Sequence, residues 1–118
     1  MTESQWTRKI CHELIECGCL VFAAVGNKFS TVGWPDRHVI MPTGEMFWLE
    51  FKSDEGKLTR PQKYMLIEIN RRASGHAFVV RMPGILETET GVFVADFMVG
   101  RDLFFRLRGL RCDATNRN

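Results

Sequence analysis

A chain of 118 residues is one domain by length, enough to bury a single modest core. Apolar residues at 45% and charged residues at 25% are ordinary for a soluble globular protein, and no apolar run approaches the ~18 residues of a membrane span. The net charge of +2 is too mild to demand an anionic partner.

In chain order, Thr2-Glu3-Ser4-Gln5 has the spacing of a capping box, with Thr2 as cap and Gln5 three positions on. Trp6, Ile10, Leu14 and Cys17 then recur at helical spacing as one apolar stripe, and Gly18 stops the helix. Leu20 to Val25 reads as a short apolar strand closed by Gly26-Asn27, followed by a loop over 28–35. Asp36 to Met41 is a second strand, Pro42-Thr43-Gly44-Glu45 its turn, and Met46 to Lys52 a third strand completing a hairpin. Thr59-Arg60-Pro61-Gln62 repeats the capping-box spacing, with proline tolerated in the first turn. The helix it opens carries Met65, Leu66, Ile69 and Ala73 on one side and ends at Gly75. His76 to Arg81 is a fourth strand with Val79-Val80 at its centre. Beyond Pro83-Gly84 the pattern weakens to a strand over Val92 to Val99 and a short helix over Asp102 to Leu107. The order implies an α/β fold, a sandwich of helices around one mixed sheet.

Four cysteines stand at 11, 17, 19 and 112. Cys17-Gly18-Cys19 is too tight for a zinc knuckle and no second pair follows it, so Cys17 is expected to be a small buried hydrophobe. With no secretory leader pattern in front of them, reduced thiols and a cytoplasmic setting are expected. The segment Gly100 to Asn118 sets five arginines, at 101, 106, 108, 111 and 117, against Asp102 and Asp113. Such a tail attracts phosphate backbones, and also describes a plain solvated face.

The chemistry concentrates in residues 33–54. A period of two sends Phe47, Leu49 and Phe51 to one face of the third strand and Trp48, Glu50 and Lys52 to the other. Gly33-Trp34-Pro35-Asp36 brings a second carboxylate to the start of the neighbouring strand, on a turn that glycine and proline define. Two converging carboxylates repel unless they share a proton or a hard cation such as magnesium. A cation there lowers the pKa of a bound water, and a lysine beside it orients that water or neutralises charge on a phosphoryl oxygen. A solvated hairpin would carry the same three residues, since an exposed Glu–Lys pair is worth little.

Gly33-x-Pro35-Asp36 followed after a hairpin by Glu50-x-Lys52 resembles the PD-(D/E)xK nuclease signature. Gly56-x-Leu58, the helical Gln62 and Gly75-His76-Ala77-Phe78-Val79-Val80, in that order, make the chain look like the VRR-NUC family, including its small stand-alone phage and bacterial members. The resemblance runs from about Glu3 to Val80. It implies a restriction-endonuclease-like core of order α-β-β-β-α-β, with one nuclease domain over 1–118, a core of about 3–82 and a C-terminal extension of about 83–118. It makes Asp36 and Glu50 ligands of Mg²⁺ or Mn²⁺, with the Phe51 carbonyl as a third, and gives Lys52 the hydrolytic water. Gln62 would point back at the site, although it is also the capping partner of Thr59. A glutamate from the first helix is expected as well: Glu3, with Glu13 as its rival. Lys28, Trp34, Lys57 and Arg60 are the candidates for DNA contact, whereas His38 reads as a surface residue and His12 and His76 belong to no pattern. The implied activity is metal-dependent, structure-selective DNA endonuclease, acting on four-way junctions as a homodimer in a bacterial or phage-infected cell and serving DNA repair. Flap, nick or non-specific cleavage by the same site is the first alternative, and a catalytically silent DNA-binding module the second.

Overall fold

The computed structural model describes residues 1–24, 32–73 and 76–116, with the backbone alone over 111–116. Val25, Gly26, Asn27, Lys28, Gly75 and Arg117, and the side chains of Arg111 and Cys112, lie outside the described residues. Helix α1 (Glu3–Glu16) leads into β1 (Leu20–Ala23), β2 (Arg37–Ile40) and β3 (Met46–Lys52). Then come α2 (Arg60–Arg72), β4 (Ala77–Arg81), β5 (Ile85–Glu87), β6 (Phe93–Asp96) and α3 (Gly100–Asn116). No described helix is long and apolar enough to cross a membrane.

Both capping boxes form. The Thr2 hydroxyl accepts from the Gln5 N–H and the Gln5 side chain from the Thr2 N–H, and Thr59 and Gln62 do the same for α2. Such caps contribute about 1 kcal/mol each, enough to fix where the helices start.

The six strands lie in sequence order, β1-β2-β3-β4-β5-β6. All neighbours are antiparallel except β3 and β4, which run parallel because α2 carries the chain back across the sheet. The two faces fill differently. Phe47, Leu49 and Phe51 pack with Val39, Phe78, Val80 and Leu86 against Trp6, Ile10, Leu14, Leu103 and Leu107 of α1 and α3. On the opposite face Leu66 and Ile69 of α2 meet Ala77 and Val79, with Trp48, Leu58 and Met65 packed alongside. Each large buried side chain contributes roughly 1.5–3 kcal/mol, so β3 is anchored firmly by its odd-numbered residues.

Several expectations are corrected. The first strand is apolar in sequence but is an edge strand, and Leu20 and Phe22 are exposed. Cys17 caps α1 at half burial; Cys11 and Cys19 are the buried thiols, and burial pushes both pKa values up, Cys19 to about 11. Cys11, Cys17 and Cys19 are free. β5 was not legible, and the short helix expected over Asp102 to Leu107 begins two residues earlier and runs nine residues further, spanning Gly100–Asn116. Within the extension after residue 82, Leu86, Phe97, Leu103 and Leu107 are part of the buried core.

The crossing of α1 and α3 explains one rival carboxylate. The Gly100 N–H donates to Glu13 Oε1 at 3.1 Å, and a Cβ on Gly100 would sit 2.5 Å from the Glu13 Cβ and 2.6 Å from the Ile10 carbonyl. Glu13 thus caps the start of α3, where a carboxylate is favoured by the helix dipole.

Candidate active site

Asp36 stands one residue before β2, and antiparallel pairing of Arg37 with Leu49 sets it beside the end of β3. Its carbonyl accepts from the Ala24 N–H at 2.8 Å, continuing the ladder towards β1. Its Oδ2 accepts from the Phe51 N–H at 2.9 Å, so the backbone of β3 itself aims the carboxylate. The turn before it depends on Gly33, which has φ +84°. A Cβ there would lie 2.4 Å from the Pro61 carbonyl carbon and oxygen and 2.8 Å from the Gln62 nitrogen, all backbone atoms of the first turn of α2. Gly33→Ala is expected to cost about 2 kcal/mol or more, from left-handed strain plus overpacking, measured by urea denaturation. An unchanged midpoint would mean that the loop does not need this approach to α2.

Glu50 projects from the same face of the sheet as Trp48 and is only 2% exposed. Burial, followed by the adjacent Asp36 carboxylate, pushes its pKa up from 4.5 to about 8, while Lys52 pulls the other way. Glu50 Oε2 has Gln62 Nε2 at 3.4 Å and Lys52 Nζ at 4.0 Å. Glu50 Oε1 is buried without a hydrogen-bond partner. A proton on Glu50 also supplies a donor between the two carboxylates, which adds to the effects of burial and of the Asp36 charge.

Gln62 resolves an either-or. Its Oε1 accepts from the Thr59 N–H at 2.9 Å as the capping partner, while its Nε2 faces Glu50. One planar amide does both jobs at once, so the start of α2 and the orientation of Glu50 are linked.

The oxygen donor set fits a hard divalent cation, which takes one or two carboxylates and leaves its other positions to water or substrate phosphate. The orphaned buried oxygen of Glu50 fits the same reading, since a cation would complete it. Among the described residues no third His, Cys, Asp or Glu joins Asp36 and Glu50 as a metal-holding group. Glu3 is exposed on the first turn of α1 and is not brought to the pair. Phe51, whose carbonyl the family resemblance makes a ligand, contributes its N–H to Asp36 in this geometry. Lys57 and Arg60 are exposed on the approach to α2, and Lys28 lies outside the described residues.

Trp34 neither packs in the core nor stands alone. It lines an open groove of about 420 Å³ with Trp48, Tyr64, Met65 and Ile69. His38 is half-buried and stacked on Trp48, ring centroids 4.7 Å apart, with Phe22 beyond it. Burial pushes its pKa below the ordinary imidazole value. His76 also escaped sequence reasoning: its Nε2 meets Glu45 Oε1 at 2.5 Å and its Nδ1 meets the Ala73 carbonyl, tying the β2–β3 turn to the end of α2. His12 pairs with Glu16 at 3.1 Å on the surface of α1.

A scan against protein-family models gives no match, and a search of the curated proteins gives none either. Solved structures do match. A Holliday junction resolvase, Hjc of Archaeoglobus fulgidus, an archaeal hyperthermophile, aligns with a TM-score of 0.57 at 16% identity, over 79% of this chain and 87% of its own. A VRR_NUC domain aligns with a TM-score of 0.53 at 28% identity, over 67% of this chain and 83% of its own. The chain therefore has the restriction-endonuclease-like fold of these nucleases, and it resembles the VRR-NUC family in its architecture as well as in its motifs.

Proposed function

We propose that this protein is a DNA endonuclease whose site is built from Asp36, Glu50, Lys52 and Gln62. The observation that carries the reading is their convergence at the joined ends of β2, β3 and α2, on a fold shared with a junction resolvase and a VRR_NUC domain. Asp36 and Glu50 would hold Mg²⁺ or Mn²⁺, which when bound acidifies water and offsets charge on a phosphoryl oxygen. Asp36 is aimed by the Phe51 N–H, and Gln62 steadies Glu50 against rotation. Lys52, at 16% side-chain exposure, sets an ammonium group at the edge of the pair, where it can orient the attacking water and the scissile phosphate.

Four-way junctions are the proposed substrate and a homodimer the proposed assembly. One small site cuts one strand, so paired cuts need two copies. What supports a second copy is the surface around the site: Leu20, Phe22, Met46, Trp34 and Tyr64 are exposed on the α2 side of the sheet, and exposed apolar patches of this kind mark interfaces. Labelled four-way junction, flap and linear duplex, each with Mg²⁺ or Mn²⁺, test the reading together with sedimentation of the free protein. Paired junction cuts by a dimer are expected. Flap cutting with an intact junction would remove the resolvase assignment, and binding without cutting in either metal would remove the enzyme.

A further inference from the structure

Arg81 lies outside the proposed site and is bonded to the loop that follows Lys52. It ends β4 and pairs in register with Lys52 across the parallel β3–β4 ladder. Alternation along β4 puts Ala77 and Val79 against α2, so Arg81 emerges on the face that carries Glu50 and Lys52. Its side chain is 18% exposed, and its Nε donates to Glu87 Oε1 at 3.0 Å. Nη1 is turned to three carbonyls of the loop that follows Lys52: Ser53 at 2.9 Å, Gly56 at 2.5 Å and Asp54 at 3.4 Å. The Met82 N–H, next in chain, donates to the Lys52 carbonyl at 2.9 Å.

The loop held this way is also the wall of the Lys52 side chain. A turn closes it, from the Gly56 N–H to the Ser53 carbonyl at 3.2 Å. The Gly56 Cα faces inward so closely that a Cβ would lie 2.8 Å from Ser53 Oγ and 3.5 Å from Lys52 Cδ. Lys52 is a flexible four-carbon stem, and among the described residues its ammonium is paired with Glu50 Oε2 at 4.0 Å, at the outer limit of an ion pair. A charged guanidinium bonded to several carbonyls is worth more than a neutral bond to each. We propose that Arg81 is a positioning residue, which clamps residues 53–56 against the stem of Lys52 and so keeps its ammonium at the Glu50 edge of the site.

The assignment of turnover to Lys52 rests on the nuclease reading, but the clamp itself can be tested without cleavage. In Arg81→Gln the loop loses its charged anchor, and acetic anhydride labelling followed by mass spectrometry should modify Lys52 several-fold faster, with Lys9, Lys57 and Lys63 unchanged. On the junction substrate kcat should fall roughly 10- to 100-fold, the cost of a misplaced catalytic group, with KM nearly constant. Arg81→Lys covers the case in which the glutamine variant does not fold. It keeps the charge and a stem beside Glu87, yet one ammonium cannot replace the fork that reaches both Glu87 and the loop, so it should show the same exposure of Lys52. Wild-type labelling of Lys52 in either folded variant would overturn the proposal, whatever cleavage does. Faster labelling in a protein that cuts no DNA would uphold the clamp and remove only the nuclease reading.

Discussion

In EDTA at pH 8 the Glu50→Gln protein is expected to unfold at a higher temperature than the unsubstituted protein, and at pH 5 the two should unfold nearly together. The folded protein holds the Glu50 pKa at about 8 against 4.5 in the free side chain, first by burial and then by Asp36. Between those values the unfolded carboxyl ionises while the folded one keeps its proton. Stability from this group is therefore full below about 4.5, declines as pH rises towards about 8 and does not fall further above it. Glutamine has the shape of the protonated form and cannot ionise, so it escapes the decline. The difference at pH 8 should be on the order of 4 kcal/mol, a rise of roughly ten degrees in Tm. Added Mg²⁺ should raise the unsubstituted protein and leave the variant in place, because a ligand that binds only the folded state stabilises it by mass action. A glutamine variant less stable than the parent at pH 8 would show that the Lys52 pairing outweighs the desolvation of Glu50.

Asp36→Ala and Lys52→Ala should both fold and both lose at least ~10²-fold in cleavage rate, the scale on which a single charge-stabilising group acts. Their other properties should differ. Asp36→Ala deprives the Phe51 N–H of its acceptor, a loss of about 1 kcal/mol, and should abolish the rise in Tm with Mg²⁺. Lys52→Ala removes no proposed ligand, so its Tm should still respond to the cation while turnover is lost. Circular dichroism melts with and without Mg²⁺, beside a junction-cleavage time course, separate the two roles. Wild-type cleavage in either variant would refute the site as drawn.

Much of this was legible because the decisive signals are local. The capping boxes at Thr2 and Thr59 are four-residue patterns that depend on nothing distant, and both formed as read. The alternation Phe47, Leu49, Phe51 against Trp48, Glu50, Lys52 is a property of any strand, and only one assignment of faces buries the phenylalanines. What escaped involves partners far apart in sequence. Nothing in Leu20-Val21-Phe22-Ala23 says that its strand lies at the sheet edge with two large side chains in solvent. The sequence favours Glu3 over its rival Glu13 on the same helix, but it does not show that Gly100 arrives from 87 residues away to engage Glu13. β5 is three residues long, too short to show a period, and its pairing with β4 creates it.

By itself the sequence determined the hairpin, the two helix starts, the packing face of β3 and the identity of the residues on its other face. Those follow from backbone geometry and side-chain periodicity, which act within a few residues. Tertiary structure decided how those residues meet: the Phe51 N–H aiming Asp36, the single amide of Gln62 serving Thr59 and Glu50 together, and Arg81 reaching back to the loop behind Lys52. It also decided the protonation of Glu50, because the cost of a buried charge depends on how completely water is excluded around it. That exclusion is the work of the whole sheet and of α2.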